Sequence, residues 1–168
     1  EDRMQSGEAT SRGYLELDGA QRALFDRVAA VNENIVFVLL SGRPLIIREQ
    51  AERAKAVLQA WMPGTEGGNA VADILFGAES PSGKLAMSFP YCMGQIPVTY
   101  KEFSTGRPYR PTNNKFTTKY IDIPNMPLYP FGFGLSYTAF QISGITLDSA
   151  VLRPGGRIQA SVTVKNTG

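Results

Sequence analysis

Histidine is missing from the 168 residues, and cysteine occurs once, as Cys92. A Ser-His-Asp triad, a Cys-His pair and every His-ligated metal site are thereby excluded within the chain. A lone cysteine also excludes an internal disulfide and a Cys-cluster zinc site. Charge of either sign is sparse. Charged residues make up 19% of the chain, below the usual ~25%. Lys and Arg number 17 against 15 Asp and Glu, a net charge of +2, which gives little support to a nucleic-acid partner. The longest apolar run, Ile35 to Leu40, is far short of the ~20 residues that cross a bilayer. No signal-peptide pattern is present. What remains is an ordinary globular composition, 43% apolar, able to bury a core. Neither metal nor cofactor is expected.

The chain opens on Glu1-Asp2-Arg3 and closes on an alternating stretch, Val162 to Gly168, with nothing after it to pair. It is read as part of a longer protein, so missing targeting signals say little about where the parent resides.

The first half alternates helix and strand. Asp18 is a helix cap with Gln21 at the capping-box position. Leu24, Phe25, Val28 and Ala29 form an apolar stripe at helical spacing, broken by Asn32-Glu33-Asn34. Ile35 to Leu40 shows no alternation and reads as a strand buried on both faces, as in a parallel sheet. From Glu49 to Trp61 the pattern is ambiguous. Helix formers lead, then Ala56 to Trp61 is a short apolar run that also suits a buried strand. A clearer helix is predicted from Thr65 or Glu66 to Phe76, stopped by Gly77, with Val71, Ile74 and Leu75 on its buried side.

After Gly77 the character changes. Eight of the 11 prolines lie between Pro81 and Pro130, among many Tyr and Phe. The aromatic content predicts a long, ordered, loop-rich region and not a disordered one. From Phe140 strands return around a Pro154-Gly155-Gly156 turn. A domain boundary is placed near 141–144, dividing the chain into 1–141 and 142–168.

Without histidine, proton transfer falls mainly to carboxylates, Lys, Tyr and Cys92. Ser6-Gly7-Glu8-Ala9-Thr10-Ser11-Arg12 places a Glu beside a glycine that allows a tight bend, with Arg12 four residues on. Its plain reading is a solvated loop with an incidental Glu. Thr65-Glu66-Gly67-Gly68-Asn69 opens a helix and could seat an anion, but its spacing fits no phosphate loop. The adopted reading is that its glycines allow a close helix–strand contact. Ser41-Gly42-Arg43-Pro44 follows a buried strand, where α/β proteins place ligands. It reads equally as a turn with Arg43 paired to a carboxylate. Trp61 is read as core. The segment Tyr129 to Tyr137 is read as an aromatic staple to a neighbouring domain, with Phe131, Phe133 and Tyr137 buried.

The order of motifs is more specific than any one of them. Gly7-Glu8…Arg12 precedes Leu40-Ser41-Gly42-Arg43-Pro44-Leu45. Trp61-Met62-Pro63-Gly64-Thr65-Glu66-Gly67-Gly68-Asn69-Ala70-Val71-Ala72-Asp73-Ile74-Leu75-Phe76-Gly77 follows. Then come Pro81-Ser82-Gly83-Lys84-Leu85, Gly94-Gln95-Ile96-Pro97, Gly106-Arg107-Pro108-Tyr109 and Leu128-Tyr129-Pro130-Phe131-Gly132-Phe133-Gly134-Leu135-Ser136-Tyr137. This series closely resembles the C-terminal part of glycoside hydrolase family 3, in particular its bacterial periplasmic β-glucosidases.

The resemblance implies an α/β fold: the later part of an α/β sandwich, with a parallel-type sheet and flanking helices. The long aromatic and Pro-rich loop region follows, then the first strands of a fibronectin type III-like domain. It also implies that the stretch matching Val57 to Trp61 is a strand. The activity implied is that of a retaining exo-β-glycosidase removing terminal β-D-glucosyl residues from oligosaccharides or glucosides. A β-xylosidase or other β-glycosidase is the nearest alternative, and a non-catalytic carbohydrate-binding or interaction module the reading from another class. The nucleophilic Asp would lie in a preceding barrel domain, the partner of this part, so the chain alone is expected to be inactive. Family members carry the acid/base in a loop reading Gly-Glu-x-x-x-Arg, which assigns that role to Glu8. Glu1 resembles a second family Glu and is the reserve choice. Substrate-binding residues within this chain are not identified. A periplasmic or secreted location is implied as well.

Overall fold

The computed structural model describes residues 5, 7–103, 106–111 and 114–168. Glu1 and Ser6, both singled out from the sequence, lie outside the described residues. The architecture is mixed α/β with two small sheets among the described residues.

Helix α1 spans Gly19–Ala29, and Asp18 caps it as its sequence predicts: the carboxylate accepts the Gln21 amide at 2.9 Å. That bond satisfies one of the donors a helix start leaves unpaired. The apolar stripe is used only in part. Phe25 is buried and meets Phe37 edge-on, ring centroids 5.5 Å apart, whereas Leu24 and Val28 are exposed. At about 100° per residue, Leu24 and Val28 both fall to one side of Phe25. That flank looks outward.

Strand β1 (Val36–Leu39) pairs in parallel with β2 (Ala56–Gln59), Val36 opposite Ala56 and Leu39 opposite Gln59. The crossover contains helix α2, Arg48–Arg53. The ambiguous stretch is therefore a helix and then a strand. Ion pairs Arg22–Glu49 and Arg53–Asp26 tie α2 to α1. Of the run Ile35 to Leu40 only Leu39 is fully buried; Phe37 and Val38 are half-buried, and Val36 and Leu40 are about half exposed. The ends of a strand with one short neighbour have less to cover them. A single parallel bridge from Glu16 to Ile46 adds a third line of chain beside the crossover.

Helix α3 spans Gly67–Leu75 and stops at Gly77, which takes φ +79°. Val71 and Ile74 are half-buried, while Leu75 is exposed. Gly67 is required by contact: a Cβ there would sit 2.5 Å from Cγ of Pro63.

Leu39, Leu45, Ile47 and Phe89 form the core, with Leu17, Phe37, Val57, Trp61, Leu85, Leu128 and Tyr129 packed against it. Phe89 brings the loop-rich region into that core. Its main chain exchanges hydrogen bonds with Tyr129. Nearby, Gln95 is buried in a short 3-10 turn, Met93–Gln95. Its side-chain oxygen accepts the Tyr91 amide at 2.8 Å, and its nitrogen donates to the carbonyls of Pro124, Asn125 and Met126 at 3.0–3.3 Å.

The aromatic segment attaches differently from expectation. Phe131, Phe133 and Tyr137 are 45%, 38% and 57% exposed, not buried. The rings of Phe131 and Phe133 pair with other rings and leave faces open, Tyr100 on Phe131 at 4.3 Å and Tyr129 on Phe133 at 5.1 Å. Hydrogen bonds do the fastening, through side chains such as Ser88 and Ser80 as well as through the main chain. Leu85 donates to the Phe133 carbonyl and Gly132 to the Leu85 carbonyl, both at 2.8 Å. Gly134 lies so close that a Cβ would sit 2.6 Å from the Gly83 carbonyl oxygen.

Strands β3 (Phe140–Leu147) and β4 (Ala160–Asn166) form an antiparallel pair. Phe140 and Ile142 share a face with Val162 and Val164, opposite Ser143, Ser161 and Thr163. The register shifts between Ser143 and Thr146, at Gly144 with φ +62°. An extra residue in one strand reverses the alternation beyond it. Leu147 therefore rejoins the apolar face, opposite Ala160.

Candidate active-site loop

The loop bearing Glu8 is a tight turn. Gly7 has φ +133° and Ala9 has φ +60°, both in territory that favours glycine. The Thr10 hydroxyl closes the turn by donating to the Gly7 carbonyl at 2.6 Å. Glu8 sits at its apex, exposed to solvent.

Two arginines hold this turn to the body. Arg12 donates to the side-chain oxygen of Gln5 at 3.5 Å and to the Glu16 carbonyl at 3.2 Å. Arg43 donates from a single nitrogen, Nη2, to the Gln5 carbonyl at 2.7 Å and to the Thr10 carbonyl at 3.2 Å. Arg43 belongs to the loop following β1. There Ser41 is fully buried and its hydroxyl donates to the Arg43 carbonyl at 2.8 Å. Gln59, ending β2, donates to the Ser41 hydroxyl at 3.3 Å. The Gln59 amide oxygen is a buried acceptor without a hydrogen-bond partner among the described residues. The carboxyl edge of the parallel pair thus carries the Glu8 turn, at the place where such sheets set their ligand loops.

The structure brings together two of the motifs singled out from the sequence, Gly7-Glu8…Arg12 and Ser41-Gly42-Arg43-Pro44. The bonds described for Arg43 go to the main-chain carbonyls of Gln5 and Thr10. Trp61 takes its core reading, tilted against Phe89 at 6.0 Å. At Thr65 to Asn69 the close contact is with the preceding loop and not with a strand: Gly67 lies against Pro63, Gly68 has open space at its Cβ position, and Asn69 is bonded to the Glu66 carboxylate at 2.7 Å. Sequence reasoning missed the joining of the Arg43 loop to the Glu8 turn, because 33 to 38 residues separate the partners and no local spacing announces such a contact.

A concavity of about 300 Å³ lies between α2 and the loop-rich region and is lined by Glu16, Arg48, Tyr91, Cys92 and Asp122 among others. Arg48 donates to the Tyr91 hydroxyl at 3.2 Å and lies over its ring. That hydrogen bond, with the attraction of Tyr91, holds the Arg48 guanidinium above its ordinary pKa. No cluster of three or more His, Cys, Asp or Glu suited to a metal ion occurs among the described residues. No helix among them is long and apolar enough to cross a membrane.

The model of the glycosyl hydrolase family 3 C-terminal domain matches residues 1–137. The chain belongs to glycoside hydrolase family 3. Within that family it is 50% identical over 162 residues, 96% of the chain, to a periplasmic beta-glucosidase of Salmonella typhimurium, of which the match covers 21%. It is 41% identical to a beta-xylosidase of Formosa agariphila, over 96% of this chain and 22% of that protein. The crystal structure of a family 3 relative, a beta-glucosidase from Listeria innocua in complex with isofagomine, superposes with a TM-score of 0.91 at 43% identity. That match covers 100% of this chain and 24% of the other. The chain thus spans about a fifth of the length of the curated relatives it matches.

Proposed function

We propose that the chain is the acid/base-bearing part of a retaining exo-β-glycosidase that removes terminal β-D-glucosyl residues from oligosaccharides or glucosides. The names of the relatives support a β-glycosidase, and both β-glucosidase and β-xylosidase occur among them. A glucosyl preference is the reading adopted, on the greater similarity to the Salmonella enzyme. That enzyme's name also supports a periplasmic or secreted location. In this reading residues 1–141 belong to the α/β sandwich, and residues 142–168 begin a fibronectin type III-like domain. The one-sided apolar face of β3 and β4 supports the latter, since a two-stranded pair needs more sheet to be stable. The nucleophile is assigned to a barrel domain outside this chain.

The observation that carries the catalytic assignment is Glu8 at the apex of a turn pinned at both ends. A glycosidic oxygen leaves poorly unless it is protonated as the bond breaks. The Glu8 carboxyl would supply that proton, then take one from water when the glycosyl-enzyme is hydrolysed. Retaining chemistry needs two carboxyl groups ~5–5.5 Å apart across the bond. The 168-residue chain alone should therefore show no turnover of an aryl β-glucoside, and measurable turnover would mean that a second carboxylate in this chain serves.

Glu8→Ala in the intact protein tests the assignment. Substrates with poor leaving groups should lose hydrolysis. Activated aryl glycosides should still form the glycosyl-enzyme and then stall, with azide restoring turnover. If Glu1→Ala gives that pattern and Glu8→Ala does not, the role belongs to Glu1. The solvent exposure of Glu8 favours one second reading, a non-catalytic carbohydrate-binding or interaction module. Sugar binding without turnover by the intact protein would establish it.

A further inference from the structure

Among the described residues of the Glu8 turn, two take positive φ, one of them an alanine, and the bonds within it run from Thr10 back to Gly7. Its two ends are nevertheless fixed by one atom. Arg43 Nη2 donates to the carbonyls of Gln5 and Thr10, which brackets Glu8. Arg43 can fix them because its own backbone is fixed. Its carbonyl accepts the buried Ser41 hydroxyl, Ser41 is in turn bonded by Gln59 at the end of β2, and buried Pro44 and Leu45 follow it. A continuous run of hydrogen bonds therefore joins the parallel sheet to the turn.

We propose that Arg43 is a positioning residue for the acid/base: its guanidinium holds the Gln5–Thr10 turn so that the apical carboxyl is presented at a fixed place, and it acts through the turn without touching substrate. The inference rests on the proposed glycosidase reading. Charged donors make stronger hydrogen bonds to carbonyls than neutral ones. Both bonds leave one NH2 group whose two hydrogens are held in the guanidinium plane, whereas a lysine ammonium is a rotating point charge on a flexible stem. A misplacement of ~1 Å at a reacting group can lower a rate by about 10²-fold, so loss of this brace should appear in the protonation step specifically.

The test uses Arg43→Met and Arg43→Lys in the intact protein, beside Glu8→Ala. The first readout is amide hydrogen exchange over residues 5–10. The second is the ratio of kcat/KM for poor against activated aryl leaving groups. For Arg43→Met the expected result is exchange faster by about 10-fold or more confined to that turn. Poor leaving groups should lose about 10²-fold and activated ones much less, with KM little changed. Arg43→Lys should fall between Met and the parent, and it carries the same comparison if the Met variant does not fold. Equal loss on both substrate classes, or unchanged exchange in the turn, overturns the proposal whatever Glu8→Ala does. If Glu8→Ala is silent while the Arg43 variants still steepen the leaving-group dependence, the assignment of Glu8 falls. Arg43 then positions a different acid through the same turn.

Discussion

The Tyr137 hydroxyl donates to the Ile74 carbonyl at 2.6 Å, joining the end of the aromatic segment to the last turn of α3. A carbonyl at a helix end has no amide four residues on to pair with. Ile74 also receives the Gly77 amide, so Tyr137 adds a second donor at a terminus already bent by glycine. Tyr137→Phe keeps the ring and removes this bond. It should lower the stability of the intact protein by about 0.5–1.5 kcal/mol, read by denaturant unfolding. An unchanged midpoint would show that water replaces the hydroxyl without cost.

Neighbouring glycines at the start of α3 should respond with opposite signs. Gly67→Ala drives a Cβ to 2.5 Å from a rigid proline ring, and the start of the helix must shift. Gly68 has open space around its Cβ position and an ordinary helical backbone. Gly68→Ala should therefore raise stability by roughly 0.4–1 kcal/mol, mainly by restricting the unfolded chain. Thermal melts of the two single variants check this.

How much of this could be read from sequence depends on the reach of each signal. Asp18 and Gln21 lie three residues apart, and their cap is where the sequence puts it. Gly77 and the apolar run from Ile35 likewise act through near neighbours. The stretch from Glu49 to Trp61 was ambiguous because a six-residue helix and a four-residue strand follow each other too closely for either period to dominate. The exposure of Leu24, Val28 and Phe131 was not legible, since composition says that a side chain prefers burial and not which side of its helix or ring a partner occupies. The Arg43 brace and the Gln95 bonds join loops distant in sequence, and only the fold makes those residues adjacent.

Burial pushes the Tyr129 hydroxyl above its ordinary pKa. The sign follows directly. Above the unfolded value of about 10, the unfolded chain releases this proton while the folded one retains it, so stability falls as pH rises through that range. Below it the contribution is fully present. Tyr129→Phe cannot titrate and should show a shallower alkaline loss. Unfolding midpoints of both forms from about pH 8 to 11 test this, and parallel curves would refute it.

The bulge in β3 makes a separate demand. Gly144 takes φ +62° with nothing near its Cβ position, so any penalty for a side chain is one of backbone strain. Gly144→Ala should cost about 1–2 kcal/mol, and Gly144→Asn less, because Asn visits this region more readily. Circular dichroism melts of the intact protein would rank the two.

Gln95 has one more consequence. Its side chain gathers the amide of Tyr91 and the carbonyls of 124–126 at one point, and the Tyr120 hydroxyl reaches back to the Gly94 carbonyl close by. The chain therefore leaves this knot near Ile96 and returns to it some thirty residues later. What lies between is an excursion with both feet tied together. The separation of its two ends is thereby set by one buried side chain and not by the residues in between.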